Sequence, residues 1–222
     1  MSYTSSRLEE AISQAKTKSQ ERRKRNFEET VEISIGLRDL DLKNPSNRIN
    51  LETIVPNDLG AASKSPKVAV FAEGDLAVRT NDLGLRTIGR EEIEQLSKEP
   101  KSAKKLANEF AFFLAQPQLM AVVARFLGKV LGPRGKMPKP IPPRTDLQQL
   151  VNRYDRTVKL RLKSSPVINA PIGKAGQPDK DLAENASTII QAISGRLPKG
   201  MVQVKSVSIK TTMGPTVKLA KN

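Results

Sequence analysis

Leu8, Ala11, Ile12 and Ala15 recur at three- and four-residue spacing, so the chain opens on an amphipathic helix. Ser6 and Glu9 have the spacing of a capping box, which starts that helix at residue 6; the basic run Arg22, Arg23, Lys24 and Arg25 ends it, cations suiting the negative end of the helix dipole. After Phe27 the period changes to two. Val31, Ile33, Ile35 and Leu37 alternate with Thr30, Glu32, Ser34 and Gly36, which predicts a strand with one buried face. A second strand is expected over 48–55, ended by Pro56, and the small, polar stretch 61–66 reads as a linker.

From Lys67 the texture differs. Val68, Ala69, Val70, Phe71 and Ala72 form a continuous apolar run, suited to a parallel strand covered on both faces, and 110–115 is a second such run. Helices are expected over 75–83, 90–97, 102–108, 118–130 and 146–154. Strands alternating with helices describe a layered α/β unit.

Near Thr157 the alternating texture returns, with Val158, Leu160 and Leu162 opposite Lys159, Arg161 and Lys163. A helix over 179–194 carries Leu182, Ala186, Ile189, Ile190 and Ile193 on one face. Val202, Val204, Val207 and Ile209 break strict alternation across Lys205 and Ser206, which predicts a bulge or turn there; Val217 and Leu219 then alternate about Lys218. The two ends resemble each other and the middle does not. The expected architecture is therefore α+β and α/β combined: a discontinuous α+β sandwich with an antiparallel sheet from residues 1–66 and 156–222, and a three-layer domain inserted over 67–155. Two chain crossings near 66 and 156 would form a paired hinge.

Charge narrows the partner. The 222 residues carry 38 Lys and Arg against 23 Asp and Glu, a net charge of +15, and this excess points to a polyanion. Cysteine and histidine are both absent, which removes disulfides, thiolate metal sites and every nucleophile–histidine mechanism. The N-terminus lacks the apolar core of a signal peptide, and no window approaches eighteen uninterrupted apolar residues, so a cytoplasmic protein is expected.

Two segments could carry chemistry. The glycine cluster 128–137 lacks the spacing of a nucleotide-hydrolase phosphate loop: Val130 stands where the first glycine is required and Met137 where the hydroxyl should be. What remains is read as a basic loop with Arg125, Lys129, Arg134, Lys136, Lys139 and Arg144 and no acid over 125–145, either a secondary RNA contact through Arg134, Lys136 and Lys139 or a solvated surface. Near the end stand Lys210, Thr211, Thr212, Met213, Gly214 and Pro215. Hydroxyls that can reach phosphate and ribose, an uncharged methionine and a glycine allowing close backbone approach suit RNA, and the same residues equally suit a turn between two strands. Aromatic residues are scarce, at 4%, so a folded RNA fits better than a stacked single strand; Phe27 is the candidate exposed ring, or a core residue at the strand entrance.

The motifs FEETVE at 27–32, LGPRGKMP at 131–138, APIGK at 170–174 and TMGP at 212–215 together resemble the family of the first large-subunit ribosomal protein, the protein of the mobile side stalk, in its archaeal-type form. The resemblance runs from the first helix to the last strand. It implies an RNA-binding domain from both chain ends with a Rossmann-like domain inserted, and an RNA-contacting surface of Phe27, Thr30 and Glu32, of Asn169 and Lys174 around the Ala-Pro loop, and of Ser206, Thr211, Thr212, Met213 and Gly214. Bacterial relatives often have histidine where Asn169 stands.

The implied partners are the 23S-type ribosomal RNA of the stalk, the exit-site transfer RNA whose release the family assists, and the leader of the protein's own messenger RNA, whose translation it represses. A monomer within the large subunit is implied, with no cofactor, no membrane and no enzymatic activity. The competing readings are a free messenger-RNA-binding repressor outside the ribosome and a phosphate-handling enzyme using the inserted domain.

Overall fold

A computed structural model describes residues 3–22, 25–42, 44, 47, 49–60, 68–141, 146–162 and 165–219. The 61–66 linker, Arg23 and Lys24 of the basic run, Arg48 and Arg144 lie outside the described residues. In chain order the elements are α1 (Ser5–Arg22), β1 (Thr30–Leu37), β2 (Asn50–Ile54), β3 (Val68–Phe71), α2 (Asp75–Asp82), β4 (Arg86–Ile88), α3 (Arg90–Lys98), α4 (Pro100–Glu109), β5 (Phe112–Ala115), α5 (Met120–Arg134), β6 (Lys139–Pro140), α6 (Leu147–Asp155), β7 (Thr157–Arg161), β8 (Val167–Lys174), α7 (Asp179–Ser194), β9 (Val204–Thr211) and β10 (Val217–Leu219). They fall into two compact units, Met1–Ala62 with Arg156–Asn222, and Ser63–Asp155.

In the first unit a four-stranded antiparallel sheet has the order β10-β9-β1-β8. Along β1 burial alternates strictly, with Val31, Ile33, Ile35 and Leu37 inside. This face joins one core with Leu8, Ala11, Ile12 and Ala15 of α1 and Leu182, Ala186, Ile189 and Ile193 of α7. Each fully buried Ile or Leu contributes about 1.5–3 kcal/mol, so the period-two and period-3.6 stripes dock on each other and leave the opposite sheet face open. A separate antiparallel pair, β2 with β7, adds Val158, Leu160 and Leu162 to the same core.

In the second unit four parallel strands run in the order β4-β3-β5-β6. All residues of β3 and β5 are buried, because helices cover both faces. Phe71, Ile88 and Phe113 pack with Ile93, Leu106, Val123, Leu127 and Leu131, whereas Val68, Val70, Phe112 and Leu114 pack with Leu76, Leu147 and Leu150. This is the expected three-layer α/β arrangement. No helix among the described residues is long and apolar enough to cross a membrane.

Several local expectations change. Helix α1 begins at Ser5, and the Thr4 carbonyl accepts from the Arg7 and Leu8 amides, so Ser6 lies inside the first turn and does not cap it; Ser5 Oγ, not Ser6, donates to Glu9, at 3.3 Å. The glycine cluster is mostly helix: Arg125, Lys129, Gly128 and Gly132 all lie in α5. Two helical glycines cost about 1 kcal/mol each, but the buried stripe Val123, Leu127 and Leu131 outweighs that. The helix ends at Gly135, left-handed at φ 65, with Gly135 N–H donating to the Gly132 carbonyl and Lys136 N–H to that of Leu131. Val202 is exposed in a 3-10 turn and not in a strand, while the predicted irregularity is a bulge: Gly36 pairs with Ser206 and Leu37 with Val204, leaving Lys205 extra. Ala170 and Pro171 form no loop. They sit within β8, an edge strand, where a residue without an N–H is tolerated.

Candidate nucleic-acid interface

Because β1 buries its odd-numbered side chains, Thr30, Glu32, Ser34 and Gly36 stand on the open face, and the register extends that face across the sheet. Lys218, Ser208, Ser34 and Asn169 form one row over all four strands. The next row holds Lys210, Glu32 and Pro171, and another holds Ser206, Gly36 and Val167. Glu32 thus lies directly across from Lys210, which explains how a basic face accommodates an acid. A Cβ at Gly36 would meet Ser206 Oγ at 2.7 Å, so the glycine lets that hydroxyl lie across β1. Glu32, Asn169 and Ser206 come from three strands and share this surface. Ser34, Ser208, Lys210 and Lys218 share it too; alternation marked Ser34 and Lys218 as outward-facing, and the register aligns Ser208 and Lys210 with them.

At one end of the face the 211–215 loop docks on the start of β1. Thr212 N–H donates to the Thr30 carbonyl at 2.9 Å, Thr30 N–H donates to Thr212 Oγ1 at 3.1 Å, and Thr212 Oγ1 lies 3.2 Å from the Thr30 carbonyl. Lys174 reaches the same place from β8, its Nζ 3.2 Å from Thr30 Oγ1 and 3.4 Å from the Glu28 carbonyl. Met213 and Phe27 leave 52% and 54% of their surface exposed, two apolar groups on a polar site.

Behind the loop lies Glu29, a buried carboxylate that sequence reasoning did not single out. It accepts from Ser19 Oγ at the end of α1 and from the Met213 N–H at 3.1 Å. Burial alone would raise its pKa, but the hydrogen bonds from Ser19, Thr211 and Met213 N–H, with the charge of Arg25, hold it below the usual carboxylate value. The signal available was Ser19, a polar residue on the apolar stripe of α1.

Thr211 requires a correction. It is 0% exposed, and its hydroxyl accepts the Gly214 N–H at 3.1 Å, so it shapes the loop from behind and is not part of the open face. A Cβ on Gly214 would come within 2.2 Å of Thr211 Oγ1 and 2.9 Å of Ser19 Cβ, which makes the glycine a packing requirement.

Arg134, Lys136 and Lys139 belong to the inserted unit. Lys136 is turned inward, donating to the carbonyls of Ala107 at 2.6 Å and Phe110 at 2.8 Å, and so satisfies the C-terminal end of α4. Burial, then the neighbouring Arg134 charge, lowers its pKa. Its ammonium is therefore committed inside the protein and not offered to RNA. Arg134 Nη1 donates to the Val130 carbonyl at 3.1 Å; Lys139 is exposed on β6.

The model of the ribosomal protein L1p/L10e family matches residues 16–215. Large ribosomal subunit protein uL1 of Thermococcus kodakarensis is 45% identical over 220 residues, covering 99% of each chain. The protein of the same name from Pyrococcus abyssi is 41% identical over 99% of this chain and 98% of its own, and that from Methanobrevibacter smithii 44% identical over 95% and 97%.

Proposed function

The chain belongs to the ribosomal protein L1p/L10e family, and from that premise we propose that the unit built from both chain ends binds the ribosomal RNA of the large-subunit side stalk. Contact runs through the open face of the four-stranded sheet and the 212–214 loop. The observation that carries this reading is the convergence of Thr30, Lys174, Thr212 and Met213 at one end of a polar face that also bears Glu32, Asn169 and Ser206. Hydroxyls and backbone groups on a rigid sheet suit ribose and phosphate, and exposed Met213 and Phe27 suit sugar and base surfaces. The net charge of +15 supplies the long-range attraction.

Within this reading the protein works in the ribosome, in the cytoplasm, as a binding protein and not as an enzyme. The same surface serves the stalk RNA and a mimic of it in the protein's own messenger RNA, so free protein represses its own translation. Movement of the stalk with the bound protein assists release of spent transfer RNA from the exit site. The Gly-rich segment lies mostly within α5, and its Gly135 closes the end of that helix.

The test is equilibrium binding to the stalk RNA fragment. Met213→Asp, which sets a charge against phosphate, and Thr212→Val, which removes the hydroxyl that ties the loop to β1, are expected to weaken binding at least about tenfold with the fold intact. Unchanged affinity in both variants would remove the loop from the site. Toeprinting on the leader, and stalk movement in reconstituted subunits, test the regulatory and transfer-RNA roles separately.

A further inference from the structure

Beside the loop, a cleft of about 510 Å³ opens between the end of α1, the segment entering β1 and the turn after β8, with Gln20, Arg25, Phe27, Glu28 and Gly176 among its walls. This volume is typical of sites that enclose a small ring system, about 300–1,000 Å³. The cleft borders the interface, since its wall includes Glu29, the group that holds the Met213 amide. Three features of its lining point to a ligand. Phe27 offers an exposed ring face. Arg25 stands in the cleft wall close enough to Glu29 for its charge to act on that carboxylate, which places a guanidinium donor there. Glu28 Oε1 is held by the Gly176 N–H at 3.3 Å, which fixes a carboxylate at the rim.

A planar ring, a guanidinium donor and a fixed carboxylate acceptor in one cleft describe a particular nucleobase. Guanine alone presents the acceptors O6 and N7, the pair that arginine matches, together with donors on N1 and N2 that a carboxylate can accept. Adenine presents a donor where guanine has O6, and pyrimidines lack the N7 acceptor. We propose that this cleft receives the base of one unpaired guanosine, turned out of the RNA held on the adjoining sheet face, with Phe27 stacking on it, Arg25 donating to its acceptor edge and Glu28 accepting from its N1–H and N2–H. The inference rests on the RNA-binding reading of that face and adds base selectivity to an interface otherwise built for backbone contacts.

The test is a double-mutant cycle on binding. Wild-type protein and Arg25→Ala are titrated with the large-subunit stalk RNA fragment, intact and with a single abasic site at each unpaired guanosine in turn. One abasic site is expected to weaken the wild type about tenfold and Arg25→Ala less than about twofold, with adenosine at that position behaving as the abasic site does. Glu28→Gln keeps an oxygen for the Gly176 N–H and is expected to lose the guanosine-over-adenosine preference at the same position, which provides a second readout should Arg25→Ala melt early. If the wild type binds the intact fragment tightly while every abasic site weakens both proteins equally, the cleft takes no base and the RNA-binding reading stands alone. If the wild type fails to bind the intact fragment, both fall.

Discussion

The Glu29 carboxylate accepts a hydrogen bond from the Met213 backbone N–H at 3.1 Å, joining positions 184 residues apart. Ser19 Oγ donates to the same carboxylate from α1. One buried charge thereby couples the first helix, the entrance to β1 and the loop before β10. Replacing it with an amide, Glu29→Gln, sets a second donor where donors already converge. Expected are a loss of about 1–3 kcal/mol in denaturant unfolding, faster hydrogen exchange at the Met213 amide, and weaker stalk-RNA binding. Unchanged exchange at Met213 would show that the loop holds its shape without the carboxylate.

Acid should act through the same group. Glu29 has its pKa lowered from 4.5 in the fold, so the stability it contributes is fully present above the unfolded value and is lost as pH falls through the lowered folded one. Stability of the wild type should therefore drop below about pH 4.5 more steeply than that of Glu29→Gln. Thermal melts of both proteins between pH 3 and 7, values spanning ordinary carboxylate titration, check this; parallel curves would exclude Glu29 as the source.

Gly214→Ala tests packing behind the loop. The added methyl meets Thr211 Oγ1 and Ser19 Cβ at distances real side chains do not adopt, and one neighbour is the buried residue Thr211. Overpacking of this kind costs about 1–3 kcal/mol. The melting temperature should fall and RNA affinity with it; an unchanged melting temperature would show that the loop has room for the methyl.

Lys136→Met in the inserted unit should separate stability from binding. The substitution keeps the aliphatic stem but leaves the carbonyls of Ala107 and Phe110 without their donor, at a cost of about 1–3 kcal/mol. Affinity for the stalk fragment should stay within about twofold. A large loss of affinity without loss of stability would mean that this ammonium leaves its cap to reach RNA.

Much of the architecture was legible from local pattern. The period of two over 30–37, the apolar runs at 68–72 and 110–115 and the helical stripe at 179–194 each record which faces are buried, and burial is what the strands and helices obey. Short edge elements were not legible: β4 and β6 span three and two residues, too few for a period to show. The glycines of α5 misled because a local helix penalty was outweighed by a stripe buried against a distant sheet.

The chain by itself showed an acid-free, hydroxyl-bearing segment near its end and ruled out histidine and cysteine chemistry, while Glu32, Asn169 and Ser206 were named for the candidate surface only through the family resemblance. Only the tertiary structure decided that Thr211 faces inward while Thr212 and Met213 face out, that Lys136 is spent on a helix end, and that Glu29 organises the loop. Periodicity is a property of neighbours two to four residues apart. Which backbone amide meets which carboxylate across 184 residues is set by strand register and helix docking, and these exist only once the chain has folded.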